Sequence, residues 1–418
     1  MTLLRPPALR PGDTVAVLAG SSPVSNQDHL ESGLRALASV GLKPEVLATA
    51  RAGGSVYDYL AGDDALRAAD LTRALTDPRY AAVFTAQGGY GMQRTLELMD
   101  WDRIDKAAPK PVIGYSDVTA LLEALAAKLG WVSFFGPMVA CGGFWEGPQE
   151  YDFQQLVKLL LTPESVTRLT FPGSRALVPG TAEGVTLGGT ATLLTASLGT
   201  DTSYPARGGI LFLEDVDELP FRLDRVFTQI RRARGWLDGV AGIVLGTFTE
   251  CGDPDEIDRL LAERFGDLGV PVLAGADIGH NTAMQTYPIG VSARLDTTAG
   301  TLTFLDQVLT DRRPDPGRPG PTRGCSRGAR GAPGVLPAAP GLLPGADTGH
   351  GVPVSASGGV SAPYAPDRVR GAHAPGRVGP RRAARARVAA LGALLAGVAR
   401  RIGQVRSAPV TRRARRSA

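Results

Sequence analysis

The sequence predicts an α/β protein of two domains followed by a basic tail. In residues 1–165, β-branched runs such as TVAVLAG and AAVFTA alternate with amphipathic stretches such as DHLESGLRALASVG. This alternation is typical of βαβ units and predicts a parallel sheet with helices on both faces. Residues 166–310 are rich in Gly, Thr and Val with turn signals, which predicts a β-rich domain.

Within the second domain, residues 171–200 are expected to be β-structure rather than further βα units, because turn signals separate short Thr- and Val-rich runs. Two buried-strand patterns follow, GGILFLEDV and VAGIVLGTF, and a helical pattern lies between them.

Residues 311–418 form a low-complexity tail of different composition. It holds 20 Lys and Arg against 4 Asp and Glu, whereas residues 1–310 hold 25 against 37. Nothing in the tail can build a core, so we expect it to be disordered. Two interpretations stay open: a basic arm that binds nucleic acid, and a frameshift or read-through product of GC-rich DNA, which the abundance of Ala, Arg, Gly and Pro favours.

The first 310 residues restrict the class of protein. Their net negative charge argues against nucleic acid as a ligand of the folded part. Cys141 and Cys251 are too few for a disulfide framework or a metal cluster, so neither a metal nor a cofactor is expected. The N-terminus shows no signal-peptide pattern, and the apolar run at 388–399 is too short to span a bilayer. We therefore expect a cytoplasmic protein without a membrane partner.

Ser116 is a candidate nucleophile. It lies in PKPVIGYSDVTALLEAL, where an apolar strand pattern ends at a glycine and an amphipathic helix pattern follows. In such a strand-to-helix turn the hydroxyl is exposed, and the amide of Asp117 can face a developing oxyanion. Val118 breaks the hydrolase pattern G-x-S-x-G, however, and a Gly-Tyr-Ser-Asp turn is more often an ordinary helix N-cap than a catalytic site.

A base and an orienting carboxylate can be named. His29 and His280 are the two histidines before residue 311, and His280 lies in GADIGHNTAMQTYPIG, although a structural histidine is the simpler alternative. Glu214 follows the strand pattern GILFL, and a carboxylate at a strand end can accept the Nδ1 proton of a histidine. Gly88 and Gly89, between a strand and a helix pattern, could supply oxyanion amides or a plain tight turn.

Seven separated motifs resemble the LD-carboxypeptidase family of serine peptidases, which includes the microcin C7 self-immunity proteins. They are LRPGDTVAVLAGSSPV, GGYG, PVIGYSDVTALL, FFGPM, GILFLEDVDELPFRLDR, GIVLGTF and IGHNTAMQTYPIG. The resemblance implies an N-terminal α/β domain, a C-terminal β-rich swivelling domain, and a site in the cleft between them. It implies release of terminal D-alanine from a cytoplasmic murein tetrapeptide, and we also consider a homodimer.

The resemblance also implies the role of each site residue. Ser116 would be the nucleophile, His280 the general base and Glu214 its orienter. The oxyanion hole would consist of the amides of Asp117 and of Gly88 or Gly89. Two alternatives stay open. One is a self-immunity peptidase that cleaves peptide-nucleotide antibiotics, with Trp145 as a candidate to stack on the adenine ring of the substrate. The other is a non-catalytic peptide-binding protein.

Three positions depart from the family pattern. Phe135 stands where histidine is common, Gln87 where arginine often precedes the glycine pair, and Thr190 where the family has asparagine. We expect these departures to change substrate contacts or loop packing and to leave the triad untouched. Arg222 is a candidate for the substrate carboxylate by its proximity to Glu214 in sequence, with a surface ion pair as the simpler alternative.

Overall fold

The computed structural model describes residues 3–147, 150–281 and 283–311, so the basic tail beyond Asp311 lies outside the described residues. The strands are β1 (Thr14–Leu18), β2 (Lys43–Val46), β3 (Ala82–Thr85), β4 (Val112–Gly114), β5 (Ser133–Phe135), β6 (Arg168–Thr170), β7 (Arg175–Val178), β8 (Thr181–Thr190), β9 (Gly209–Val216), β10 (Gly242–Thr249), β11 (Val272–Ala274), β12 (Tyr287–Ile289), β13 (Ser292–Asp296) and β14 (Thr301–Phe304).

The α-helices are α1 (Gln27–Ser39), α2 (Ala48–Arg51), α3 (Asp64–Thr76), α4 (Met92–Glu97), α5 (Trp101–Ile104), α6 (Thr119–Ala124), α7 (Gly143–Glu146), α8 (Tyr151–Leu161), α9 (Ala191–Ser197), α10 (Pro220–Arg232) and α11 (Pro254–Phe265). A 3₁₀ turn, Ser116–Val118, precedes α6, and a π-helical turn, Leu125–Leu129, follows it.

The first sheet has the order β12-β5-β4-β3-β1-β2. Its five N-terminal strands are parallel, and β12 pairs antiparallel with β5. Every residue of β3 and β4 is buried, because helices cover both faces of a parallel sheet. The predicted βαβ succession is therefore confirmed. Parallel strands also place the loops after β3 and β4 at one edge of the sheet.

The second sheet has the order β6-β14-β13-β8-β9-β10-β11-β7. The central strands β8, β9, β10 and β11 are parallel, and the flanking pairs are antiparallel. The α/β class with a strand-rich C-terminal part is thus as predicted. Helices α9, α10 and α11 connect the four parallel strands, so β9 and β10 deliver their carboxyl ends beside each other.

One local expectation was wrong. Part of the 171–200 segment, predicted to be β-structure, forms helix α9 and so begins a βα unit. The physical reason is a cap supplied from a distance: the Asp215 carboxylate on β9 accepts hydrogen bonds from the Thr192 amide and hydroxyl at 2.9 and 2.8 Å. A carboxylate at a helix N-terminus satisfies amides that have no partner within the helix. The cap from Asp215 therefore favours a helix over residues 191–197, although their threonine-rich composition predicted a strand.

The ends of the described chain lie together. Ala8 donates its amide to the Thr310 carbonyl at 3.0 Å, and the Thr310 amide donates to the Pro6 carbonyl at 3.0 Å. These bonds and the Pro7–Thr310 bridge attach the last described segment to the first. Among the described residues, the helices are too short or too polar to cross a bilayer.

Candidate functional site

Ser116 stands at a sharp turn between β4 and α6. Gly114 ends the strand, Tyr115 is extended, and Ser116 has φ of +61° before the 3₁₀ turn begins. A left-handed conformation costs a non-glycine residue about 1–2 kcal/mol, and such strain is concentrated at functional sites. The geometry fits the predicted elbow and differs from an N-cap, which has extended backbone and whose side chain accepts from the following amides.

The carboxylate of Asp117 fixes the elbow to the glycine loop. It is 3% exposed and accepts the Met92 amide at 2.8 Å. Burial raises the pKa of this carboxyl, whereas the hydrogen bond from the Met92 amide lowers it. The side chain of Asp117 therefore holds the turn in place and leaves its amide as the predicted oxyanion donor.

The glycine pair lies against Ser116. A Cβ on Gly88 would lie 3.0 Å from Ser116 Cβ and 3.2 Å from its Oγ, so a larger residue here would crowd the serine. Gly89 packs on Ser22, whose hydroxyl accepts the Tyr90 amide at 3.0 Å. Burial raises the pKa of the Cys141 thiol to about 11, and the Gly88 amide beside that sulfur acts in the opposite direction. The structure thus brings the predicted oxyanion residues and the serine together.

Glu214 and His280 form a hydrogen-bonded pair. His280 Nδ1 lies 2.7 Å from Glu214 Oε2, and the His280 amide donates to the same oxygen at 3.2 Å. The glutamate side chain is fully buried and the histidine side chain is 17% exposed. Because the carboxylate accepts at Nδ1, the imidazole is held with its Nε2 as the available acceptor. This is the arrangement expected of a base and its orienter.

Two neighbours constrain the histidine further. The Tyr115 ring lies 4.8 Å from the His280 ring, centroid to centroid, so the base is next to the residue that precedes Ser116. Thr249 on β10 donates its hydroxyl to the His280 carbonyl. Burial also raises the pKa of the Tyr115 hydroxyl well above its ordinary value, so it stays protonated. Within the described residues, no hydrogen bond joins Ser116 Oγ to His280.

Thr190 was named as a departure from the family pattern, but its contact with Glu214 was not predicted, and the expectation that the departures leave the triad untouched was wrong at this position. The Thr190 hydroxyl donates to Glu214 Oε1 at 2.5 Å. The register of β8 against β9 places the two residues opposite each other. The available signal was a side chain able to form hydrogen bonds, Thr190, at the end of β8. Its relation to Glu214 could be inferred only from the strand order, which places β8 next to β9.

The other two departures from the family pattern, Phe135 and Gln87, contact protein groups. Phe135 is buried between the rings of Tyr115 and Tyr287. Gln87 accepts hydrogen bonds from the Ser25 amide and hydroxyl at 2.8 and 3.1 Å. The Gln87 contacts join two loops, as expected of a role in loop packing, whereas Phe135 packs at the end of strand β5.

Both ligand candidates contact protein side chains. Arg222 is 57% exposed and pairs with Glu218, four residues earlier, at 3.9 Å, which is the simpler alternative that the sequence offered. Trp145 stacks on His29 with ring centroids 3.8 Å apart and an interplanar angle of 1°, so a protein side chain covers one face of its indole. In the described part of the chain, no group of three or more His, Cys, Asp or Glu side chains could hold a metal ion.

Family models match both the N-terminal and the C-terminal segments of the described chain. Residues 15–136 match the family model of the LD-carboxypeptidase N-terminal domain, and residues 183–295 match that of its C-terminal domain. A putative carboxypeptidase of Streptomyces coelicolor is 47% identical over 72% of this chain and 96% of its own length. The murein tetrapeptide carboxypeptidase of Pseudomonas aeruginosa is 31% identical over 68% of this chain and 92% of its own.

Solved structures share the fold. A muramoyltetrapeptide carboxypeptidase from Oxalobacter formigenes has a TM-score of 0.61 at 27% identity and covers 71% of this chain and all of its own. A microcin C7 self-immunity protein in complex with aspartyl sulfamoyl adenosine has a TM-score of 0.67 at 26% identity, over 73% of this chain and all of its own.

Proposed function

Because the chain belongs to the LD-carboxypeptidase family and is therefore a peptidase, we propose that it is a serine-type enzyme acting on murein tetrapeptide. It releases the terminal D-alanine in the cytoplasm, as a step of peptidoglycan recycling, and uses Ser116, Glu214 and His280. The observation that carries the proposal is the 2.7 Å contact between His280 Nδ1 and Glu214 Oε2, beside a serine with positive φ.

The chemistry follows from this geometry. His280 Nε2 removes the hydroxyl proton as Ser116 Oγ attacks the carbonyl that precedes D-alanine. The imidazolium is stabilised by Glu214 and then gives its proton to the leaving amine of D-alanine. Water, activated by the same histidine, hydrolyses the acyl-enzyme. The Ser116–His280 hydrogen bond is the contact that substrate must complete, since catalytic hydrogen bonds often shorten only on binding.

The oxyanion formed during attack needs two backbone donors. The amide of Asp117 follows the nucleophile, and the second donor is the amide of Gly88 or Gly89, since Gly88 lies against Ser116 and Gly89 follows it. Each donor of this kind contributes roughly 3 kcal/mol to transition-state stabilisation.

A second candidate substrate has support of its own. The similarity to a self-immunity protein bound to aspartyl sulfamoyl adenosine favours an aminoacyl-nucleotide substrate for the same serine chemistry. The relative named for murein tetrapeptide is the more similar in sequence, at 31%. The His29–Trp145 stack also leaves less of the indole for a nucleobase.

One experiment separates the candidates. The purified full chain is incubated in parallel with murein tetrapeptide and with an aspartyl sulfamoyl nucleoside, and the amino acid or nucleoside released is quantified by mass spectrometry. We expect D-alanine from the tetrapeptide, with a kcat/KM well above that for the nucleoside, and no release by Ser116→Ala. The reverse preference would support the second candidate. Binding of tetrapeptide without cleavage of either compound would indicate a non-catalytic binding protein.

A further inference from the structure

A chain of buried hydroxyl groups connects Glu214 to the helix that follows the nucleophile. Thr119 Oγ1 donates to Thr190 Oγ1 at 3.3 Å, and Thr190 Oγ1 donates to Glu214 Oε1 at 2.5 Å. The Thr190 amide also donates to Thr119 Oγ1 at 3.1 Å. Thr119 lies three residues after Ser116, so these bonds connect the serine's helix to the partner of His280.

In this chain each hydroxyl proton is donated to one identifiable oxygen atom. Thr119 Oγ1 accepts from the Thr190 amide and donates to the Thr190 hydroxyl oxygen. The Thr190 proton is therefore directed to Glu214 Oε1, while the other carboxylate oxygen, Oε2, accepts twice from His280. Each oxygen of the carboxylate thus has its own donors, and the ring of His280 meets a carboxylate that cannot rotate without losing a bond.

Burial makes these bonds costly to lose. Thr119 and Glu214 are 0% exposed and Thr190 is 3% exposed, so water does not replace a missing hydroxyl easily. Close packing supports the same contact: a Cβ on Gly189 would lie 2.5 Å from Thr119 Cγ2, and Gly189 has φ of +148°. Only glycine allows the end of β8 to approach α6 this closely.

We propose that Thr190, supported by Thr119, is a positioning residue for the Glu214–His280 pair. The proposal rests on the proposed serine mechanism. Thr190 orients the carboxylate so that Oε2 faces His280 Nδ1, and it stabilises the anion that holds the imidazole. Thr119 orients the Thr190 hydroxyl and connects the pair to the Ser116 helix, so that nucleophile and base share one hydrogen-bonded framework.

The test removes one hydroxyl and keeps the shape. Thr190→Val is expected to lower kcat roughly 10- to 100-fold, because one buried carboxylate oxygen loses its donor, with KM changed less than about threefold. Thr190→Ser, which restores the hydroxyl, should recover most of kcat. The matched control is Thr192→Val, whose hydroxyl donates to Asp215 instead and whose loss should leave kcat nearly unchanged.

The pH profile gives a readout that a packing defect would not move. Without the Thr190 donor, Oε2 carries more negative charge and holds the proton of His280 more tightly. The acidic limb of kcat/KM should therefore move to higher pH in Thr190→Val and stay in place in Thr192→Val. The titratable groups around Glu214 are His280, Tyr115, Tyr287, Cys251 and Asp215, and neither substitution removes one of them. Thr192→Val takes one hydrogen-bond donor from Asp215, which should raise the pKa of that carboxyl.

A spectroscopic measurement separates this proposal from the proposed function. The proton resonance of His280 Nδ1–H, recorded on the full chain without substrate, should shift in Thr190→Val and not in Thr192→Val. If the wild-type chain releases no D-alanine, the proposed function is wrong and the resonance still decides the positioning role. A Thr190→Val protein with unchanged resonance, kcat and acidic limb would overturn the proposal. If that variant does not fold, Thr119→Val is judged by the same criteria.

Discussion

Gly279, directly before His280, offers a sharp test of how closely the base must be placed. A Cβ at Gly279 would lie 2.4 Å from Glu214 Oε2 and 2.7 Å from its Cβ and Cγ. Ordinary van der Waals contact begins near 3.4 Å, so Gly279→Ala must separate the two groups by roughly 1 Å. A misplacement of about 1 Å costs on the order of 100-fold in rate. We therefore expect kcat to fall by about that factor.

The control for this substitution is Gly275→Ala. Both glycines have positive φ, +99° at Gly279 and +75° at Gly275, so both alanine variants have backbone strain of about 1–2 kcal/mol. At Gly275 the nearest atom to an added Cβ is Ser174 Cα at 3.9 Å, which is ordinary contact. Gly275→Ala should lose the stability that backbone strain alone costs, Gly279→Ala should lose more because of the clash with Glu214, and a loss of kcat should be confined to Gly279→Ala.

The assay is steady-state D-alanine release from murein tetrapeptide, combined with thermal unfolding of each variant. Folded Gly279→Ala protein whose kcat lies within about threefold of that of Gly275→Ala would refute the reasoning. In that case the Glu214–His280 contact would tolerate a displacement that the proposed geometry forbids.

Three further predictions follow from named contacts. Ser116→Ala and His280→Ala should each lower kcat by at least about 10⁴-fold, and the double variant should be scarcely slower, because the two groups act as one unit; additive losses measured in a kinetic cycle would contradict this. Burial raises the pKa of Glu123 to about 7 from 4.5, so its contribution to stability is fully present below pH 4.5 and is lost as pH rises through about 7. Urea unfolding should then show Glu123→Gln to be more stable than wild type at pH 8, by on the order of 1–3 kcal/mol, and a gain of equal size at pH 4 would count against a titration effect. A chain shortened to residues 1–311 retains the Thr310 pairing with Pro6 and Ala8 and should keep its activity and its unfolding midpoint, whereas loss of either would show that the remaining residues complete the fold.

Much of the first domain and the site could be predicted from local patterns. The alternation of strands and helices determined the parallel sheet, and the serine between a strand and a helix pattern indicated the elbow. Pairing of Glu214 with His280 was implied by the family resemblance, and the carboxylate after the GILFL pattern agreed with it. The sheet and the elbow depended on residues close together in sequence, whereas the Glu214–His280 pair joins residues 66 positions apart and depended on the resemblance.

What could not be predicted depends on contacts between distant segments. Thr190 contacts Glu214 through the register of β8 on β9, and no local pattern contains that register. Helix α9 depends on a cap from Asp215, more than twenty residues away. Strand β12 pairs with β5 although some 150 residues separate them. These features follow from topology, which periodicity does not determine.

The central claim is that Ser116 is a nucleophile activated by the Glu214–His280 pair. The most direct measurement is reaction of the folded full chain with a serine-reactive fluorophosphonate, followed by peptide mass spectrometry. The account predicts a single adduct on Ser116, formed at least 100-fold more slowly in His280→Ala and Glu214→Gln, since the proton acceptor or its orienting partner is lost. Labelling of a different residue, or labelling of Ser116 at an unchanged rate in His280→Ala, would contradict it.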